Sequence, residues 1–100
     1  PRPSLGVVLA AGGYPGDYTK GHAITGLDQA VSADGKVFHA GTALQDGQVV
    51  TQGGRVLCAT ALGENVRAAQ QGAYELARKI SWDGCFYRSD IGYRAIEREA

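Results

Sequence analysis

The stretch from Thr51 to Gly63 constrains the fold more than any other part of the chain. The glycine pair Gly53-Gly54 lets the backbone turn without a Cβ penalty, and a single cation, Arg55, follows at once. The next seven residues, Val56 to Leu62, carry no charge, and such a run is too short to span a membrane but suits a buried strand. A cation between a tight turn and a buried strand is well placed to present a functional group, so Arg55 is the first candidate site residue.

The overall composition is that of one small soluble domain. The chain has 100 residues, of which 44% are apolar and 20% are charged. Ten Lys and Arg balance ten Asp and Glu, so net charge gives no argument for binding nucleic acid or an anionic membrane. Cys58 and Cys85 lack a metal or redox spacing, which favours free thiols in a reducing compartment. The chain has no Met and enters its first strand almost immediately, which indicates a piece of a longer protein.

Four segments are predicted to be strands. Leu5 to Ala11 is continuously apolar, which is typical of a strand covered on both faces. Val37 to Leu44 is predicted to be a second strand, and Gln45 to Gln48 contains the Asp-Gly pair that suits a two-residue hairpin turn. Val49 to Thr51 then forms the return strand, and the uncharged stretch after Arg55 forms the fourth.

One long helix is predicted over residues 65–80. Asn65 is a suitable N-cap, and apolar residues recur behind it at steps of three and four: Val66, Ala69, Ala73, Leu76, Ala77 and Ile80. Trp82 to Tyr87 is predicted to be extended with Phe86 buried, and a short C-terminal helix is predicted from Ile91 to Arg98. The fold class is therefore α+β: a small antiparallel sheet of four or more strands with one long and one short helix packed on it.

The loop Gly12 to Tyr18 has two interpretations. It contains three glycines and Pro15 but lacks the spacing of a P-loop, so it can simply connect strands and be closed by Tyr14 and Tyr18. It can equally line a substrate pocket, because loops at strand ends commonly carry function. Elsewhere the residues offer no Ser-His-Asp arrangement and no zinc-ligand spacing.

Four motifs together give a specific resemblance. They are Gly12-Gly13-Tyr14-Pro15-Gly16-Asp17-Tyr18, Val37-Phe38-His39-Ala40-Gly41-Thr42, Thr51-x-Gly53-Gly54-Arg55-Val56-Leu57 and Asp90-Ile91-Gly92-Tyr93-Arg94-Ala95. In this order and spacing the chain resembles the C-terminal domain of the phosphoribosylamine–glycine ligase (glycinamide ribonucleotide synthetase) family. The resemblance covers essentially all of residues 1–100. The family belongs to the ATP-grasp ligases of purine biosynthesis.

The resemblance implies a partial enzyme in the cytoplasm. The family joins glycine to 5-phosphoribosylamine, by way of a glycyl phosphate, to give glycinamide ribonucleotide, ADP and phosphate. ATP and Mg²⁺ are implied as cofactors of the whole enzyme, bound mainly by the N-terminal and ATP-grasp domains that are absent from this chain. Those domains and the two small-molecule substrates are the implied partners, without nucleic acid or membrane. Residues 1–100 would complete the active site and would not be active alone.

The resemblance also implies roles for two groups of residues. By analogy with biotin carboxylase, Arg55 holds a substrate phosphate or carboxylate, and the amides of Gly53 and Gly54 approach the same anion. Gly13, Tyr14 and Pro15 line the phosphoribosylamine pocket. Alternatively, Arg55 pairs with a carboxylate of the ATP-grasp lobes. No catalytic residue and no metal ligand is expected in this chain.

A second class of function stays open at this point. The chain can be a stand-alone, non-catalytic protein-interaction module with a biotinyl-like half-barrel. Such a module would bind a protein partner without nucleotide. An open reading frame that extends about three domains upstream supports the ligase, whereas a start codon just before Pro1 supports the module.

Overall fold

The computed structural model describes residues 2–88, which form five strands and one helix. The elements are β1 (Ser4–Ala10), β2 (Gly35–His39), β3 (Thr42–Gln45), β4 (Gln48–Thr51), β5 (Arg55–Leu62) and α1 (Val66–Lys79). All strand pairs are antiparallel, so the predicted α+β class is confirmed. The predicted helix from Ile91 to Arg98 and the motif at 90–95 lie outside the described residues.

The five strands form two sheets rather than one. A three-stranded sheet has the order β1-β5-β2, and β3 pairs with β4 in a second sheet. Strand β5, which is uncharged after Arg55, lies at the centre of the first sheet, where Cys58 is opposite Val8 on one side and Phe38 on the other. The strand predicted over Val37 to Leu44 is divided, because the chain leaves the first sheet after His39 and enters the second at Thr42.

The turn between β3 and β4 is the predicted hairpin. Asp46 and Gly47 occupy the two central positions with φ of 54° and 79°. Positive φ at both positions defines the turn whose twist matches that of antiparallel strands, and Asp-Gly is one of the few pairs that adopt it readily. The hairpin is joined to the rest of the molecule by the segment before it: Ile24 donates its amide to the Val49 carbonyl at 3.0 Å.

Helix α1 covers one face of the three-stranded sheet. Asn65 caps it as predicted, since the Ala68 amide donates to Asn65 Oδ1 at 2.8 Å. Its buried side chains are Ala69, Ala73, Tyr74, Leu76 and Ala77, and they pack on the apolar residues of β1 and β5. Small residues bring the helix close to the sheet, and burial of the larger ones supplies most of its stability. Within residues 2–88 no helix is long and apolar enough to cross a membrane.

The other face of this sheet is open, which corrects the prediction that β1 is covered on both faces. We call it the outer face, and its residues are Gly6 and Val8 of β1, Lys36 and Phe38 of β2, and Cys58, Thr60 and Leu62 of β5. Val8 is 43% exposed and Phe38 is 49% exposed. Phe86, which pairs with Ala10 beside β1, is also exposed rather than buried as predicted. A helix packed on one side of a sheet leaves the other side exposed unless a second layer covers it.

Candidate functional site

The two loops identified in the sequence meet in the structure. The Ala11 amide, at the start of the first loop, donates to the Gly54 carbonyl at 2.8 Å. The Tyr14 ring lies directly on Gly54: a Cβ at position 54 would be 2.0 Å from Tyr14 Cδ1. The tyrosine can therefore occupy this position only because residue 54 has no side chain.

Gly41 joins the same turn to the end of β2. Its amide donates to the Val56 carbonyl at 3.0 Å, and its carbonyl accepts the amides of Gln52 at 2.8 Å and Gly53 at 3.0 Å. A Cβ at Gly41 would lie 2.5 Å from the Arg55 carbonyl oxygen. The backbone that carries Arg55 is thus fixed from both sides, by Gly41 and by the contact between Tyr14 and Gly54.

An open cleft lies between these segments. It has a volume of about 490 Å³ and is lined by Val8, Tyr14, Ala40, Gly54, Arg55, Leu57 and Cys58. Arg55 is exposed at the first position of β5, at the edge of an otherwise mainly apolar wall. Among the described residues no carboxylate forms an ion pair with Arg55. Its guanidinium is therefore available to an anion from outside these residues.

The structure brings half of the six predicted site residues to this cleft. Tyr14, Gly54 and Arg55 line it. Gly13 and Pro15 lie exposed on the adjoining loop, outside its lining. Gly53 also lies outside the lining. Its amide, which was predicted to approach an anion, donates to the Gly41 carbonyl instead.

Sequence reasoning did not select the other residues that line the cleft. Val8, Ala40 and Cys58 come from three different strands or their ends, and no local pattern links them. One signal was present: Gly41 interrupts a segment that otherwise looks like a continuous strand. Glycine inside a strand pattern often marks a place where another backbone segment approaches closely.

Neither Cys58, which lines the cleft, nor Cys85 is suited to nucleophilic chemistry. Both Cys58 and Cys85 are free thiols, as predicted. Burial raises the pKa of the Cys58 thiol above its ordinary value. Burial also raises the pKa of Cys85 to about 11, although a backbone hydrogen bond at Trp82 partly opposes this effect. Both thiols are therefore protonated at neutral pH, whereas the thiolate is the reactive form.

The charge of the cleft lining suits an anion better than a metal ion. Mg²⁺ is held in proteins by one or two carboxylates together with water and substrate phosphates. Within residues 2–88 no group of three or more His, Cys, Asp or Glu side chains is arranged to hold a metal ion. The charged side chain that lines the cleft is the cation Arg55, which suits an anion instead.

Comparison with known proteins identifies the domain. A family profile described as "Phosphoribosylglycinamide synthetase, C domain" matches residues 4–94, which is most of the chain. The chain belongs to the phosphoribosylglycinamide synthetase C-domain family. The predicted resemblance is therefore confirmed.

Relatives of this C domain carry the same enzyme name. The chain is 77% identical over 99 residues to phosphoribosylamine–glycine ligase of Pseudomonas aeruginosa, covering 99% of this chain and 23% of that protein. It is 67% identical over 98 residues to the ligase of Yersinia pestis, covering 97% of this chain and 23% of that protein. A crystal structure of phosphoribosylamine–glycine ligase from Thermotoga maritima matches with a TM-score of 0.76 and 45% identity, over 87% of this chain and 21% of that one.

The match is to one part of larger proteins. The chain spans about 23% of the length of the curated relatives it resembles. Each of these relatives is named as a ligase, so the stand-alone interaction module considered from the sequence is not supported.

Proposed function

We propose that this domain forms one wall of the active site of a phosphoribosylamine–glycine ligase in the cytoplasm. The whole enzyme joins glycine to 5-phosphoribosylamine and yields glycinamide ribonucleotide, ADP and phosphate. ATP with Mg²⁺ supplies the phosphoryl group that activates the glycine carboxylate, and both are held mainly by the N-terminal and ATP-grasp domains of the same polypeptide. The domain alone would be inactive.

The observation that carries this proposal is the cleft beside Arg55. Its cation has no carboxylate partner among residues 2–88 and stands at the rim of a wall that Tyr14 and Gly54 hold in place. Each substrate of the proposed reaction carries an anionic group, a phosphate in 5-phosphoribosylamine and a carboxylate in glycine. A planar guanidinium binds either group through two parallel hydrogen bonds.

The proposed role of Arg55 is to bind and orient one substrate. Holding two reactants in the correct geometry lowers the barrier without any chemical step on the holding residue. Tyr14 and Gly54 define where the guanidinium lies, and Gly13 and Pro15 shape the loop that carries Tyr14. The bond-making steps use groups outside this domain.

Replacement of Arg55 in the full-length ligase tests the proposal. Arg55→Ala should lower kcat/KM for one substrate by about 10- to 100-fold, the usual effect of losing a hydrogen bond to a charged group. Arg55→Lys should restore only part of the loss, because lysine keeps the charge but not the paired donors. Initial-rate kinetics with each substrate varied in turn will show which substrate is bound.

Arg67→Ala is the matched control, because Arg67 is an exposed arginine of α1 that does not line the cleft. It should leave both Michaelis constants unchanged. If Arg55→Ala lowers the free energy of unfolding but leaves all kinetic constants at wild-type values, Arg55 pairs with a carboxylate of another domain. That result would refute the substrate-binding role.

A further inference from the structure

The outer face of the three-stranded sheet is apolar and uncovered. Val8 is 43%, Phe38 is 49% and Leu62 is 41% exposed, although all three belong to strands whose opposite face is buried under α1. Gly6 of the edge strand β1 lies on the same face, where it adds no side chain beside Cys58 and Thr60. Scattered apolar residues are normal at a surface, but a contiguous patch on a sheet usually marks a contact.

The size of the outer face limits what can cover it. Strand β5 has eight residues. At about 3.4 Å per residue, and with strands about 4.8 Å apart, the three strands present roughly 300–400 Å². This area includes the polar side chains of Lys36 and Thr60, so its apolar part is smaller. The whole area is only about half of the roughly 800 Å² per partner that a stable complex between separate molecules buries.

We propose that the remainder of the ligase polypeptide packs on this outer face. The inference rests on the proposed function, since it assumes that the domain works within a longer ligase. About three quarters of the polypeptide of these relatives lies outside this domain, because the matched span is 23% of their length. A segment tethered in the same chain acts at high effective concentration, so a small contact suffices where a second, separate copy would need a larger one.

The outer face is continuous with the candidate site. Val8 and Cys58 belong to the face and also line the cleft beside Arg55. Polypeptide seated on the face would therefore form the missing side of the cleft. This arrangement explains how an open groove becomes an enclosed site.

The charges of the face define the chemistry of its partner. Lys36 Nζ lies 5.2 Å from the centre of the Phe38 ring, and Arg55 lies at the far end of β5. Within the described chain, the acid beside the face, Asp34, is already paired with Arg2 at 3.1 Å. The covering surface should accordingly be apolar at its centre and acidic where it meets Lys36.

Thiol labelling of the full-length ligase tests this inference without substrate. Phe38→Cys and Leu62→Cys place probes on the outer face, and Leu44→Cys is the matched control, because Leu44 is 76% exposed on the hairpin of the second sheet. The alkylation rate of each site is measured by peptide mass spectrometry and compared with its own rate in denaturant. Thermal melting and turnover confirm that each variant is folded.

The outer-face probes should label at least about tenfold more slowly than the control, since a covered site reacts only through local opening. Protection should be independent of protein concentration, because the contact is intramolecular. Labelling of both probes as fast as Leu44→Cys would overturn the inference, while leaving the role of Arg55 untouched. Protection that disappears on dilution would also overturn it, because a second copy would then cover the face.

Discussion

At the scale of single residues, one missing methyl group decides the shape of the candidate site. The Tyr14 ring occupies the space that a side chain at position 54 would need. The adjacent Gly53 is different: a Cβ there would meet its nearest neighbour, Gly41 Cα, at 3.4 Å, an ordinary contact. Gly54 therefore has a steric reason to be glycine that Gly53 lacks, and the sequence does not distinguish the two.

We predict that Gly54→Ala displaces Tyr14 from the cleft. Overpacking at a fixed backbone costs about 1–3 kcal/mol, so the variant should unfold at lower urea concentration. In the full-length ligase it should also raise the Michaelis constant of the substrate that Arg55 binds. Urea denaturation followed by circular dichroism, together with initial-rate kinetics, measures both effects.

Gly53→Ala is the control for this prediction and should change stability far less. Combining Gly54→Ala with Tyr14→Ala should recover part of the lost stability, because the clash is between these two residues. Equal stability of Gly54→Ala and Gly53→Ala would contradict the close contact between the Tyr14 ring and Gly54.

At the scale of elements, the ends of α1 are set by local interactions. Asn65 accepts the Ala68 amide, and Arg78 and Lys79 lie in the last turn, where cations favour the helix dipole. No acidic residue lies in the first turn, so the Asn65 side chain is the main N-terminal stabiliser. Both ends were predictable because capping depends on residues close in sequence.

We predict that Asn65→Ala lowers the free energy of unfolding by about 1 kcal/mol, the usual cost of losing an N-cap. Asn65→Asp should retain the stability, because aspartate accepts the same hydrogen bond and its charge suits a helix N-terminus. Urea denaturation of the three proteins side by side provides the measurement. An Asn65→Ala variant as stable as wild type would show that the Asn65–Ala68 hydrogen bond contributes nothing.

At the scale of the whole molecule, Gly41 holds the two sheets in register. It lies between β2 and β3, where the chain changes sheets, and it receives two amides from the turn that leads into β5. The groups nearest to a Cβ at this position are backbone atoms of Arg55 and Gly53, which cannot rotate away. Gly41 therefore connects the end of β2 and the start of β3 to the turn that carries Arg55 at the cleft.

We predict that Gly41→Ala costs at least about 1–3 kcal/mol and loosens the hairpin relative to the three-stranded sheet. Amide hydrogen exchange should accelerate in β3 and β4 more than in β1 and β5, because the hairpin loses its anchor at this glycine. Exchange that rises equally in all strands would indicate a general loss of stability and would count against Gly41 as the junction.

Much of the fold was predictable because it is locally encoded. The helix over 66–79, the Asp46-Gly47 turn and the strand after Arg55 depend on residue periodicity and on turn preferences that act over a few positions. The division of Val37–Leu44 was not predicted, since β-branched and aromatic residues continue on both sides of Gly41. Tyr14, Gly54 and Arg55 were found as candidates, whereas Val8, Ala40 and Cys58 were not.

The sequence by itself determined the fold class, the helix and its N-cap, the hairpin turn and the family. These follow from short-range patterns and from motifs in a fixed order. Only the tertiary structure decided that the strands divide between two sheets, that Tyr14 lies on Gly54 beside Arg55, and that one face of the β1-β5-β2 sheet is left uncovered. The reason is physical: these features depend on contacts between residues distant in sequence, and an apolar strand looks the same whether its second face is covered by its own domain or by another.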